Sequence, residues 1–247
     1  MHTDRPGWRT PPFDLRGLGL VVAAYVVLTG ALTLIGLAIV EWWEPSRFGE
    51  ADGDVNRWFE RRRTDDWTHL AEIGSAFSDT ITMVILAVVT LPVMLALYRR
   101  WHDWTVIAFG LILEVSTFAT TSLLVGRDRP PVEQLDGAPT ASFPSGHIAA
   151  AVVFYGGLAL AFRWNSRSSL TRVVAVVVAV VAPTAVILSR LYLGMHYPTD
   201  AIGGVVLGLA CLAVLRYVVG RGDVRIDLAS EAEPVADERP VVEPAAV

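Results

Sequence analysis

Six stretches of this chain are apolar enough, for long enough, to cross a bilayer, and that leaves few ways to fold it. A spanning helix needs about 20 mostly apolar residues to cover about 30 Å of hydrocarbon. The stretches run from about Gly17 to Val40, Ile81 to Tyr98, Trp104 to Val125, Ser145 to Phe162, Val173 to Leu188 and Thr199 to Val219. Within lipid every backbone polar group must be satisfied internally, so segments of this length are helical. The first is too long for a signal-peptide core, and no A-x-A-like cleavage site follows it, so it is expected to be retained as a span. The expected fold is therefore an all-α integral membrane protein with six transmembrane helices, without internal repeats or a second domain. A composition that is 53% hydrophobic and 18% charged, with mean hydropathy +0.47, excludes a water-soluble or disordered chain. The net charge of -5 gives no footprint for nucleic acid.

All 20 basic residues are arginine; there is no lysine. Their distribution orients the spans. Arg5, Arg9, Arg16, Arg99, Arg100, Arg163, Arg167, Arg172, Arg216, Arg221 and Arg225 fall on one side of a six-span topology, 11 against 8 on the other (Arg47, Arg57, Arg61, Arg62, Arg63, Arg127, Arg129, Arg190). The positive-inside rule makes the richer side the cytoplasm. This reading gives a cytoplasmic N-terminal tail (1–16), a first transmembrane helix (17–40), an extracytoplasmic loop (41–79), a transmembrane core (80–220) and a disordered cytoplasmic tail (221–247). In the loop, Val55, Trp58, Phe59, Trp67, Leu70 and Ile73 recur at loosely helical spacing. They suit either helices lying in the interface plane or a solvated connection with anchoring tryptophans.

Three polar segments emerge on the outer side: Gly126-Arg127-Asp128-Arg129-Pro130, Phe143-Pro144-Ser145-Gly146-His147 and the run from Ser189 to Asp200. Pro144 and Pro198 suit the first turn of a helix, whose free N–H groups bind anions. Ser145 adds a hydroxyl donor, Gly146 lets an oxygen approach the backbone, and Arg129 and Arg190 supply planar forks for phosphate. His196 and Asp200 are four apart, so on a helical turn the carboxylate is expected to hold one imidazole N–H and leave the other nitrogen as a nucleophile. His147 is placed to act as general acid and base. The lone Cys211 and the scattered histidines offer neither a disulfide nor a tight metal-ligand spacing, so no metal or other cofactor is expected. Glu114 lies within the third span, where a structural role between helices is favoured over substrate or proton handling.

Pro144-Ser145-Gly146-His147 and Ser189-Arg190-x5-His196-x3-Asp200 resemble the second and third signatures of the type-two phosphatidic acid phosphatase superfamily, the lipid phosphate phosphatases related to vanadium haloperoxidases. Arg129-Pro130 resembles the end of the first signature, K-x6-R-P. The resemblance covers roughly residues 100–220. It implies a helical-bundle phosphatase core in the cell membrane, with an extracytoplasmic site and a metal-independent phosphohistidine mechanism. In that mechanism His196 is the nucleophile, Asp200 its orienting partner and His147 the general acid and base, while Arg129, Ser145, Gly146 and Arg190 hold the phosphate. Where the family has its lysine this chain has Ser122, and Arg127 is the expected substitute for the missing charge.

The expected activity is hydrolysis of a lipid phosphomonoester or pyrophosphate. Undecaprenyl or decaprenyl pyrophosphate, phosphatidic acid and phosphatidylglycerophosphate are the candidate substrates and the bilayer is the partner. The rivals are a lipid phosphotransferase using the same site and a catalytically inactive lipid-phosphate binding or transport protein. The sequence leaves oligomeric state open.

Overall fold

The structure, a computed structural model, describes residues 15–98, 101–137 and 141–232, with side chains described at all of these except 101, 102 and 221–232. Among the described residues there are helices and connections but no strand. In chain order they are α1 (Leu15–Ala38), continued by a π-helical turn (Ile39–Trp43), α2 (Arg47–Glu60), α3 (Asp65–Ala76), α4 (Thr80–Tyr98), α5 (Trp101–Val125), α6 (Gly146–Asn165), α7 (Ser169–Tyr192) and α8 (Pro198–Ala232). Six segments are long and apolar enough to span a membrane: Leu15–Trp43, Thr80–Tyr98, Asp103–Val125, Gly146–Asn165, Ser169–Tyr192 and Pro198–Gly220. They match the six stretches read from the sequence, with the fifth longer at both ends; its start is fixed by Ser168, which caps α7 through a hydrogen bond from the Thr171 amide.

The six spans divide into two classes. α5, α6 and α8 are close to half buried, whereas α1, α4 and α7 turn most of their surface outward. The central three approach closely because small residues line their crossings, as is usual where lipid supplies no hydrophobic drive between helices. A methyl group placed on Gly208 would meet Val152 of α6, one on Gly110 would meet Val153, and one on Gly157 would meet Ile107 of α5. The outer three carry long runs of Val, Leu and Ile exposed to the surroundings, for example Val173, Val177, Val180 and Val181 of α7. The candidate site residues ride on α6, α8 and the last turn of α7, and on the connections at one end of the bundle.

The 41–79 loop contains two capped helices rather than an irregular connection. Ser46 caps α2 and Thr64 caps α3, each accepting a backbone N–H. Both helices are inverted relative to a soluble amphipathic helix. Asp52, Gly53 and Asn56 of α2 and Ala71, Gly74 and Ser75 of α3 are buried, while Phe48, Trp58, Trp67, Leu70 and Ile73 are exposed. Gly74 lets α3 sit against α7, where any side chain would collide with the Ser189 hydroxyl. At the other end of the chain α8 continues to Ala232, so the first part of the 221–247 stretch, expected to be disordered, is helical. Most of the expected N-terminal tail and residues 233–247 lie outside the described residues.

Candidate active site

The connection after α5 begins with Gly126, whose φ of 63° ends the helix in the left-handed region that a side chain would disfavour. Its backbone then pairs with the segment before α6: the Ser142 amide donates to the Arg127 carbonyl (2.8 Å) and the Ser142 hydroxyl to the Asp128 carbonyl (2.9 Å). The turn between α7 and α8 closes at Gly194, with φ 76° and the Glu133 carbonyl so near that a methyl group there would clash. These pairings bring all three polar segments to one end of the bundle. Arg63 of the 41–79 loop secures them by donating to the carbonyls of Tyr192 and Glu133.

His196 is buried, and its Nδ1 lies 2.8 Å from the Ser142 carbonyl. A carbonyl can only accept, so Nδ1 carries the proton and Nε2 keeps its lone pair. The expectation that Asp200 holds this N–H is corrected: the nearer carboxylate oxygen is 3.8 Å away. Asp200 instead accepts from the Tyr197 amide (2.8 Å) and from Arg127. It thus folds the turn that carries His196 and faces the ring electrostatically. Burial pushes the His196 pKa below the ordinary histidine range; Asp200 opposes this, and Arg190 and Arg129 reinforce it. The ring is therefore neutral near pH 7.

Arg190 is enclosed. Its Nη1 donates to the Ser75 hydroxyl and to Asp136, while Nε and Nη2 have no protein partner. The Ser145 hydroxyl is likewise buried and unpartnered. Unmade hydrogen bonds of buried donors are rare enough to need an explanation, and these belong to residues on which the sequence predicts phosphate binding. Arg129 donates to the Met195 carbonyl at 2.7 Å. Pro198 is the first residue of α8, as expected, whereas Pro144 precedes the Ser145 cap of α6 and follows a cis peptide bond. His147 in the first turn of α6 has its Nε2 3.7 Å from Asp79.

Arg127 does not face this group. Its guanidinium donates to Glu44 (2.7 Å), Asp52 (3.3 Å), Thr199 (2.7 Å) and Asp200, and lies over the Tyr197 ring. The expectation that it substitutes for the missing lysine is corrected: three carboxylates already occupy it. Ser122 is buried within α5. Asp52 also accepts from the Thr199 amide and hydroxyl, supplying from α2 a cap for the first turn of α8. Asn56 donates to the His196 carbonyl at 2.9 Å. Glu44, Asp52, Asn56 and Asp79 escape sequence reasoning because they come from distant segments; the Asp52/Asn56 spacing of four was the one available signal.

A cavity of about 440 Å³ runs inward from these groups, with Arg129, Gly146, His147 and His196 among its lining residues at one end. Its wall continues along Met83, Val84 and Ala87 of α4 and Ile112 and Val115 of α5. Val84, Ile112 and Val115 are each more than half exposed, so the cavity opens on the lipid-facing side between α4 and α5. Among the described residues no cluster of three or more His, Cys, Asp or Glu could hold a metal ion.

The sequence profile of the PAP2 superfamily matches residues 104–222. YbjG of Escherichia coli (strain K12), provisionally assigned as an undecaprenyl-diphosphatase, is 37% identical over 147 residues, covering 55% of this chain and 66% of its own length. The decaprenylphosphoryl-5-phosphoribose phosphatase of Mycobacterium tuberculosis (strain ATCC 25618 / H37Rv) is 28% identical over 61% of this chain and 77% of its own. The crystal structure of a PAP2-type phosphatidylglycerolphosphate phosphatase from Bacillus subtilis superposes with a TM-score of 0.65 over 86% of this chain and 98% of that one, at 20% identity, which shows a shared fold. The matched segment contains all three site-forming stretches and, with the six apolar helices, marks residues 104–222 as a membrane-embedded core of the PAP2-superfamily type.

Proposed function

We propose that this protein removes the terminal phosphate from a lipid phosphate through a phosphohistidine on His196, on the extracytoplasmic side. The observation that carries the reading is the fixed His196 ring: Nδ1 is tied to the Ser142 carbonyl, and the residue lines the same cavity as His147 and Arg129. The lipid reaches the site sideways through the opening between α4 and α5. Its phosphate takes the open donors of Arg190 and Ser145 together with Arg129 and the backbone at Gly146.

The Nε2 lone pair forms a bond to phosphorus while the bond from phosphorus to the ester oxygen breaks. The negative charge spread over the phosphoryl oxygens meets donors already in place, so little reorganisation is needed during the reaction. His147 protonates the departing oxygen, and then takes a proton from the water that attacks the phosphohistidine. Inorganic phosphate leaves and both histidines return to their starting states. The outward orientation rests on the arginine asymmetry of the connections.

Release of inorganic phosphate from a panel of lipid phosphates by the purified chain in detergent tests the reading, with His196→Ala as control and a chelator in parallel. Turnover that survives the chelator and is abolished by His196→Ala is expected. Phosphate appearing only when a second lipid is withheld would point instead to the phosphotransferase alternative.

A further inference from the structure

Below the phosphate-binding end, the cavity has one strongly polar side chain, Glu114 of α5. It is 3% exposed, and its Oε1 makes no hydrogen bond. Around it the cavity wall is formed by Met83, Ala87, Leu111 and Val115. An acid tying two helices together would have both oxygens engaged by a neighbour, and an unpaired one inside the membrane is expensive to keep. The structural role favoured by the sequence therefore leaves Oε1 unexplained.

The depth of Glu114 suggests what it meets. The Phe118 ring packs against Gly146, so Phe118 marks the level of the phosphate-binding backbone. Glu114 lies one helical turn further in, about 6 Å along the axis. With a phosphate held at Gly146, Arg190 and Ser145, that depth is occupied by the few atoms joining the ester oxygen to the hydrocarbon chain. We propose that Glu114 is a specificity-determining residue that accepts a hydrogen bond from a donor on this linker, such as a hydroxyl of a glycerol or sugar. The site then favours lipid phosphates with a hydroxyl-bearing linker. A lipid diphosphate, whose linker is a second phosphate, brings another acid and no donor to the same place. The proposal rests on the lipid-phosphatase reading and narrows its substrate class.

Steady-state kinetics on three substrates test it: a 1-acylglycerol 3-phosphate, its counterpart lacking the 2-hydroxyl, and a prenyl diphosphate. The wild-type chain is expected to favour the hydroxyl-bearing substrate over its deoxy counterpart by about tenfold or more in kcat/KM, in line with one buried hydrogen bond. Glu114→Leu should erase that preference through KM while leaving the deoxy substrate within about twofold, which also shows that the variant folds, and should raise turnover of the prenyl diphosphate. Glu114→Gln retains an acceptor oxygen and should keep most of the preference. Equal loss on all three substrates in Glu114→Leu, or no discrimination by the wild-type chain, would overturn the inference alone. No turnover of any substrate by the wild-type chain would overturn the phosphatase reading and this inference with it.

Discussion

Arg127 and Arg190 are the same residue type, sit at the same end of the bundle, and both have side chains enclosed to 0% exposure. Their surroundings differ in one respect. Arg127 faces Glu44, Asp52 and Asp200, whose attraction holds its pKa above the ordinary arginine value against the opposing effect of burial. Among the described residues Arg190 is ion-paired with one carboxylate, Asp136, itself 42% exposed, and two of its nitrogens are left open. The first is a clamp that joins the 41–79 loop to the start of α8. The second, on the proposed function, is a receptor whose open donors take an anion. Which of the two an arginine becomes depends on where acids from other segments arrive.

The largest expected effect separates them by stability. Arg127→Met leaves Asp52 and Asp200 buried without their cation, and breaking a buried pair from one side typically destabilises by about 3–5 kcal/mol. For a chain of this size that is a fall in Tm on the order of 10 °C. Arg127→Lys should recover little of it, since a point charge cannot reach three carboxylates in the directions a planar fork does. Thermal unfolding in detergent reads the result, and a Tm within 2–3 °C of wild type would mean that Arg127 is no clamp.

Arg190→Gln should show the opposite pattern. Removing a charge aimed at the transferred phosphoryl group lowers kcat/KM by about 10²–10³-fold, or about 2.7–4 kcal/mol of transition-state stabilisation. Tm should change little, because only the half-exposed Asp136 and Ser75 lose a partner. Arg190→Lys should retain part of the activity, since an ammonium still attracts phosphate. Kinetics and unfolding of the same preparations decide the matter; a Tm loss matching that of Arg127→Met would erase the distinction between clamp and receptor.

Asn56 extends the clamp to the nucleophile and should give a smaller effect. Its side chain donates to the His196 carbonyl, and Asn56→Ala leaves that carbonyl without it, at about 1–2 kcal/mol. The expected outcome is a modest loss of Tm together with a fall in kcat, and little change in KM, because phosphate binding is left intact. A change confined to KM would place Asn56 with substrate binding instead.

What was legible in the sequence follows from the range of the forces involved. The spans could be read because lipid imposes a length and an apolar composition on each helix separately. His147, Ser145 and Gly146, and Arg190, His196 and Asp200, could be picked out as candidates because each set lies within one short segment, and the structure brings both segments to one end of the bundle. The partners of those residues could not. Ser142 holds the His196 ring from a connection 54 residues away, and Asp52 reaches Thr199 across 147. The Pro130 that follows Arg129 is the one local mark separating it from Arg127; nothing local shows that Arg127 is taken up by Glu44, Asp52 and Asp200. In the sequence Val55 and Trp58 draw attention to the exposed face of α2, while Asp52 and Asn56 reach the candidate site from its small and polar buried face.

The smallest effect concerns pH, and it uses Arg190 and Arg127 as opposing controls on one histidine. Attack requires neutral His196, so kcat/KM should fall as pH drops through the pKa of that ring in the free protein. Burial first, then Arg190 and Arg129, hold this pKa below the ordinary value of about 6.5, so the acid limb should lie below pH 6.5. In Arg190→Gln a positive neighbour is lost, the charged imidazole becomes easier to form, and the limb should move to higher pH by a fraction of a unit to about one unit. Arg127 neutralises the Asp200 carboxylate that favours the charged ring. In Arg127→Met the less compensated carboxylate should also move the limb upward, but with loss of Tm, whereas the Arg190 shift comes without one. An acid limb that stays in place in Arg190→Gln would separate Arg190 from the nucleophile and leave it a role in binding only.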